Sequence, residues 1–206
     1  MINIKKPLQN PKNTIVKIEE VLGKNGMATD SIKKIISVLE ALPLKKGEFF
    51  SRAGKNADKL GILIKGLLIA KYEKNNSAVD IVSRFYYSPR NIIVASFESF
   101  HSGKKPNESI EALEDSYLAI ISRENLYKLY DEVPEMNKIA RQWAEQSYIL
   151  ALQRIHQLQA MNVKERIEDF YRCHPEIASK VQIQHLCSYL KANRNSLARQ
   201  IAKRKK

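Results

Sequence analysis

The residues best equipped for chemistry crowd into the last thirty positions. Lys180, Lys191, Arg194, Arg199, Lys203, Arg204, Lys205 and Lys206 all lie between Ile177 and Lys206, with no Asp or Glu among them. Eight of the thirteen net positive charges of this 206-residue chain therefore sit in one short stretch. Such density suits a polyanionic partner, and it equally suits a solvated tail, so charge alone leaves both readings open. Ile183, Leu186, Leu190, Leu197 and Ile201 supply the apolar positions of two short helices. Lys191-Ala192-Asn193 interrupts them, and Asn193 is a good N-cap for a second helix starting at Arg194. Two helices joined by about three residues form a helix-turn-helix.

At about 100° per residue, Leu197 and Ile201 of the second helix point inward. Asn195, Arg199, Ala202 and Lys206 cluster on the opposite side, with Ser196 and Lys203 along a flank, and the small Ala198 and Ala202 allow close approach to a surface. Arg194 lies in the first turn, the part of a recognition helix that reaches base edges. Arginine can donate twice to guanine and asparagine can pair twice with adenine, while Lys203 to Lys206 suit phosphates. One feature runs against the pattern. Lys191 stands where such turns usually carry glycine, and a left-handed backbone there costs on the order of 1 kcal/mol.

Other chemistries have less to work with. His101, His156, His174 and His185 are scattered without carboxylate or nucleophile partners at catalytic spacing, and the glycines form no phosphate-cradling loop, so no catalytic residue is expected. Cys173 and Cys187 fit no metal-ligand spacing, and a reduced pair in a cytoplasmic protein is expected, with Cys187 as a small buried residue. Neither a metal nor a cofactor is expected. There is no uninterrupted apolar window of about 18 residues for a membrane span, and Met1–Pro7 has no apolar core for a secretory signal. An apolar fraction of 44% with 28% charged residues places the chain among folded proteins rather than disordered ones.

The rest of the chain must position the basic helices. Asn13 can cap a helix through Ile15, Ile18 and Leu22, ended by Gly23 and Gly26; Asp30 can cap a second, with Ile32, Ile35, Ile36 and Leu39, closed by Pro43. After Leu44 the texture becomes β-like. Strands are expected across Gly61–Tyr72, Val79–Tyr87, Asn91–Ala95, Ser109–Leu113 and Ser116–Ile121, with Asn75-Asn76 as a hairpin turn. Helix returns at Glu124, and Pro134 opens a long segment without glycine or proline until Pro175. Along it Met136, Ile139, Trp143 and Leu150 form one stripe, and Tyr148, Leu152, Ile155 and Gln159 a neighbouring one. Two stripes can bury two faces, one on the chain itself and one on a partner helix; an ordinary core helix fits as well. Trp143 is expected to pack the long helix.

The order of these parts resembles the Crp/Fnr family, the relatives of the cyclic-AMP receptor protein, from about Leu44 to the end. The likeness is carried by Lys46-Gly47-Glu48-Phe49-Phe50, Gly54, Lys65-Gly66, Ala112-Leu113-Glu114-Asp115-Ser116, the long helix from Pro134 and the final helix pair. The resemblance implies an α+β fold: an antiparallel β-roll like a cyclic-nucleotide-binding domain with flanking helices (1–132), a long dimerisation helix (133–160), and a helix-turn-helix DNA-binding domain (161–206). It implies a cytoplasmic homodimer that binds double-stranded DNA and regulates transcription, with RNA polymerase as a further partner and a small-molecule effector of unknown identity. By the same resemblance Arg194, Asn195 and Arg199 fall at base-reading positions and Ser196 at a phosphate-contacting one.

The sensor departs from the family pattern. The Gly-Glu pair that holds the ribose becomes Ala95-Ser96, and the arginine for the cyclic phosphate falls at or beside Pro106, in the run Lys104-Lys105-Pro106-Asn107-Glu108. A buried phosphate without a paired cation is heavily penalised, and Lys105 would be a point charge without the guanidinium fork. Cyclic AMP is therefore not expected in the degenerate pocket near Ala95, Ser96, Lys105 and Asn107. Two cysteines cannot make the four-cysteine cluster of the iron–sulfur branch, and the wing strands some relatives carry after the recognition helix are not expected. The alternative is a ligand-sensing module whose basic tail contacts an acidic protein or an anionic membrane surface.

Overall fold

A computed structural model describes residues 18, 19, 22, 27–72 and 80–204. The expected Asn75-Asn76 turn, most of the first expected helix with its Asn13 cap and closing glycines, and Lys205 and Lys206 lie outside the described residues.

Helix α1 spans Thr29–Ser37 and buries Ile32 and Ile35. Its N-cap is Ala28, without a side-chain cap bond; Asp30 instead sits inside the first turn, next to Lys33 at 3.3 Å. The expected Asp30 cap is thus displaced by two residues. An acid in the first turn still complements the helix dipole without capping it. Nor does Pro43 close this helix. Val38 ends it, and Pro43 lies in strand β1 (Glu40–Leu44), so the β region begins before Leu44 rather than after it. Among the described residues β1 pairs only with the strand Ser116–Ser122 and is an edge strand, which is where a sheet tolerates a missing N–H.

The remaining strands are β2 (Phe49–Ser51), β3 (Lys59–Lys65), β4 (Leu67–Tyr72), β5 (Ile81–Tyr87), β6 (Ile93–Val94), β7 (Glu108–Ala112) and β8 (Ser116–Ser122). They form two four-stranded antiparallel sheets, ordered β1-β8-β3-β6 and β2-β7-β4-β5. Helix α2 (Phe97–Ser102) lies between β6 and β7. Between β3 and β4, Gly66 turns with φ +117°, and a Cβ there would stand 2.0 Å from Ser116 Oγ, so no other residue fits without rearrangement.

Side-chain alternation along the strands divides the core into three. Leu118 and Ile120 of β8, Leu68 and Ala70 of β4, and Tyr86 of β5 face one another inside the roll. The intervening Ala119 and Ile121 of β8 turn outward to α1, α2 and α3 (Arg123–Glu132), where Phe100, Leu126 and Leu129 are buried. Leu67 and Ile69 of β4, with Val82, Phe85 and Tyr87 of β5, turn outward to the C-terminal helices. Strands covered on both faces need apolar residues at nearly every position, which is why Gly61–Ala70 reads as a continuous run rather than an alternating one.

Ser122 caps α3 by accepting from the Asn125 N–H at 3.2 Å. Helix α4 runs 27 residues, Pro134–Ala160, with Pro134 in its first turn. Its two stripes separate: Met136 is buried, and Ile139 and Trp143 pack on the core shared with α1, α2 and α3, while Tyr148, Leu152 and Ile155 remain 65%, 46% and 49% exposed. Four helices follow: α5 (Val163–Cys173), α6 (Pro175–Ala178), α7 (Ile183–Leu190) and α8 (Arg194–Arg204). Asn162 and Glu165 make a reciprocal capping box at the start of α5. Among the described residues, no helix is long and apolar enough to cross a membrane, and no group of three His, Cys, Asp or Glu side chains could hold a metal.

Candidate nucleic-acid interface and the roll interior

The turn between α7 and α8 is closed at both ends. Lys191 adopts φ 51°, ψ 45°, the left-handed conformation expected of it. Around it the Lys191 N–H donates to Ser188 O at 3.4 Å and the Ala192 N–H to Cys187 O at 3.0 Å, the two bonds of a Schellman stop. On the other side the Asn193 Oδ1 accepts from the Ser196 N–H at 2.7 Å and caps α8. Because lysine occupies a glycine position, Lys191→Gly is expected to raise stability by about 0.5–1 kcal/mol. A urea midpoint that falls in that variant would show the left-handed turn to be unstrained.

Two arginines that sequence reading passed over hold this turn. Arg166 of α5 donates from Nε to Leu190 O at 2.8 Å, from Nη1 to Met161 O at 2.5 Å, and from Nη2 to Lys191 O at 3.4 Å. It thereby satisfies carbonyls at the end of α7 that lack a helical partner. Arg154 of α4 donates to Tyr189 O and sits 3.8 Å from that ring's centroid. Neither is visible in the sequence, where a lone arginine 24 or 35 residues from its acceptor carries no signal.

The outward face of α8 matches the helical wheel. Leu197 is fully buried and Ile201 half-buried against the C-terminal core, whereas Arg194, Asn195, Ala198, Arg199, Ala202 and Lys203 are exposed, with Ser196 half-buried. Among the described residues, Arg194, Arg199 and Lys203 make no ion pair. Three cations and a carboxamide thus share a solvent-facing surface with no acid opposed to them. Cys187 is half-buried in the core behind α8, and burial pushes its thiol up, away from the reactive thiolate.

The helix pair is docked on the roll rather than tethered to it. Ser188 of α7 covers the free edge of β5, accepting from the Val82 N–H at 2.9 Å and donating to Asp80 O at 2.8 Å. Phe85 of β5 packs on Tyr189 and Phe170 with ring centroids 5.0 and 6.2 Å apart. Tyr87 is bonded to His174 Nδ1 at 2.5 Å, and burial with the nearby Arg90 charge holds that imidazole down to about 4, hence neutral.

The four residues expected around the sensor pocket separate. Ala95 and Ser96 are buried at the start of α2, with the Ala95 carbonyl accepting from Tyr86 Oη at 3.2 Å; Lys105 and Asn107 are exposed. Pro106 is buried, so the run turns a ring, not a cation, inward. The neighbouring buried ionisable group is an acid: Glu108 is 4% exposed, and its Oε2 has no hydrogen-bond partner. Arg84 acts on it electrostatically and donates from Nη1 to Tyr86 Oη at 3.3 Å. Burial pushes the Tyr86 phenol up to about 12, so it stays protonated as a donor to the Ala95 carbonyl. A buried, incompletely partnered carboxylate disfavours an anion beside it.

No protein-family model matches the chain, and no curated protein matches it by sequence. Solved structures do match. FixK2 from Bradyrhizobium japonicum is 13% identical with a TM-score of 0.68, covering 81% of this chain and 84% of its own. CLP from Xanthomonas campestris, a c-di-GMP-responsive global regulator, is 17% identical with a TM-score of 0.67, covering 86% and 92%. A protein from Eubacterium rectale described as a transcriptional regulator of the Crp/Fnr family is 16% identical with a TM-score of 0.67, covering 87% and 84%. Over more than four-fifths of its length, the chain has the α+β fold of Crp/Fnr-type regulators.

Proposed function

We propose that this chain is a sequence-specific DNA-binding transcription regulator of the Crp/Fnr type, acting in the cytoplasm as a homodimer and without cyclic AMP. The three-part division at 1–132, 133–160 and 161–206 belongs to the same proposal. One observation carries it: α8, capped and backed by a buried core, presents Arg194, Asn195, Arg199 and Lys203 to solvent with no acid opposed to them. In the major groove Arg194, Asn195 and Arg199 reach base edges, and Ser196 and Lys203 reach phosphates. The exposed Tyr148, Leu152, Ile155 and Gln159 stripe of α4 supplies the contact for a second copy. A symmetric dimer then sets two α8 helices on half-sites about 34 Å apart. The absence of cyclic AMP follows from the buried Glu108 and the exposed Lys105.

The test is selection of bound duplexes from a random pool, followed by titration of selected and random duplexes over a range of salt. Selected duplexes are expected to bind at least 10³-fold tighter. Arg199→Ala is expected to cost about 1–3 kcal/mol on the selected duplex, roughly 5- to 150-fold, and little on the random one. Equal binding of both duplexes by the native chain overturns the reading and leaves a basic tail that meets an acidic protein or membrane surface through charge alone. RNA polymerase remains the proposed further partner of a DNA-bound dimer.

A further inference from the structure

Glycine holds four of the five left-handed backbone positions among the described residues: Gly47, Gly54, Gly66 and Gly103. The fifth is Lys191. Two of these positions do the same job, since Gly103 closes α2 at φ 73°, ψ 0° and Lys191 closes α7 at φ 51°, ψ 45°. A residue with a Cβ is strained there, so the turn keeps lysine against the backbone's preference for glycine. A strained residue held in place by its surroundings points to a function for its side chain.

The fold itself has no use for that side chain. The Lys191 N–H donates to Ser188 O, and its carbonyl accepts from Arg166 Nη2 at 3.4 Å, two bonds that any residue in that place would make. The side chain is exposed and forms no ion pair among the described residues. A cation here complements the dipole at the end of α7, but that benefit needs no left-handed residue. It is available in the last turn of α7 itself, which carries no basic residue.

What distinguishes Lys191 is its place. It stands three residues before Arg194, with the Asn193 cap of α8 between them. A helix whose first turn reaches base edges leaves the residues just before it at the rim of the groove, where the phosphates run. A lysine there carries a compact charge on a flexible four-carbon stem, which suits a phosphate and discriminates no base.

We propose that Lys191 is a phosphate-contacting residue that fixes the α7–α8 turn on the DNA backbone. The inference rests on the DNA-binding reading above and adds to it a contact without sequence preference. Lys191 thus differs in kind from Arg199, whose loss is felt on the selected duplex alone.

The test titrates the full chain, Lys191→Gly and Lys191→Arg with the selected and the random duplex between about 50 and 200 mM salt. Lys191→Gly is expected to weaken binding to both duplexes by a similar factor, roughly three- to tenfold. It is also expected to make the slope of log K against log salt shallower by about 0.9 for each chain bound. Lys191→Arg is expected to keep the native slope. Because Lys191→Gly relieves the left-handed strain, its lost affinity does not come from unfolding, and a urea curve of each variant checks this. An unchanged slope in Lys191→Gly overturns the proposal, and so does a slope that falls equally in Lys191→Arg, which retains the charge. Weakening confined to the selected duplex overturns it too, because the shape of the turn would then be responsible. The slope can be read on either duplex, so the two readings fail separately. A native chain that binds both duplexes alike removes sequence selectivity, whereas a selective chain whose slope ignores Lys191→Gly removes only this contact. A native chain that binds neither duplex removes both.

Discussion

Ile155→Asp is expected to halve the particle mass in solution and to weaken binding to a two-half-site duplex by roughly 10²–10⁴-fold. Ile155 is 49% exposed on α4 and lies four residues before Gln159 and three after Leu152, on the stripe that begins at Tyr148. In one chain its substitution removes little packing, and surface changes of this kind stay within about 0.5 kcal/mol of neutral. Across a two-fold axis the same change places two carboxylates against each other in an apolar seam, which costs far more. DNA affinity falls because two α8 helices joined in one particle share a high effective concentration, whereas separate chains must each bind alone. Sedimentation of the variant checks the mass, and a duplex titration checks the affinity. An unchanged mass sinks the α4 seam as the dimer contact; a halved mass with unchanged affinity sinks the two-half-site model.

The second large effect concerns the joint between roll and reader. Phe170 is 2% exposed and packs on Phe85 of the roll, Tyr189 of α7 and His174 beside α6, with centroids 6.2, 5.8 and 4.9 Å away. Truncating a fully buried phenylalanine removes its transfer free energy and leaves a cavity, together about 3–5 kcal/mol. Phe170→Ala is therefore expected to lower the melting temperature by about 10 °C or more. Because the cluster contains β4 and β5 residues as well as α5 to α8 residues, one cooperative transition is expected for both parts. Two separate transitions, with only the reader's displaced, would mean that roll and reader do not share a core.

Several elements could be read directly from the chain because their causes are local. Asn193 had to cap a helix from Arg194, and it does; Leu197 and Ile201 had to turn inward, and they do. The left-handed Lys191 was foreseeable from its place between two helix patterns. Pro134 opens the long helix, and Ser116–Ser122 forms a strand, because proline chemistry and β-branched runs act within a few residues. Where several local signals competed, reading by pattern went astray. Asp30 has the chemistry of a cap, yet the helix begins one residue before it, and Pro43 has that of a helix stop, yet it lies in an edge strand. A proline tolerated at a sheet edge and a proline that ends a helix look alike until pairing partners are known.

By itself, then, the amino-acid order determined the capped basic helix, the outward set of Arg194, Asn195, Arg199 and Lys203, and the two stripes of α4, since helical periodicity operates over neighbouring turns. Only the tertiary structure decided which strand face meets the C-terminal helices, that Arg166 satisfies the carbonyls ending α7, and that Ser188 of α7 covers the free edge of β5. Hydrogen bonds and charges act over a few ångströms of space, and residues far apart in the chain come that close only after the sheets and helices have packed.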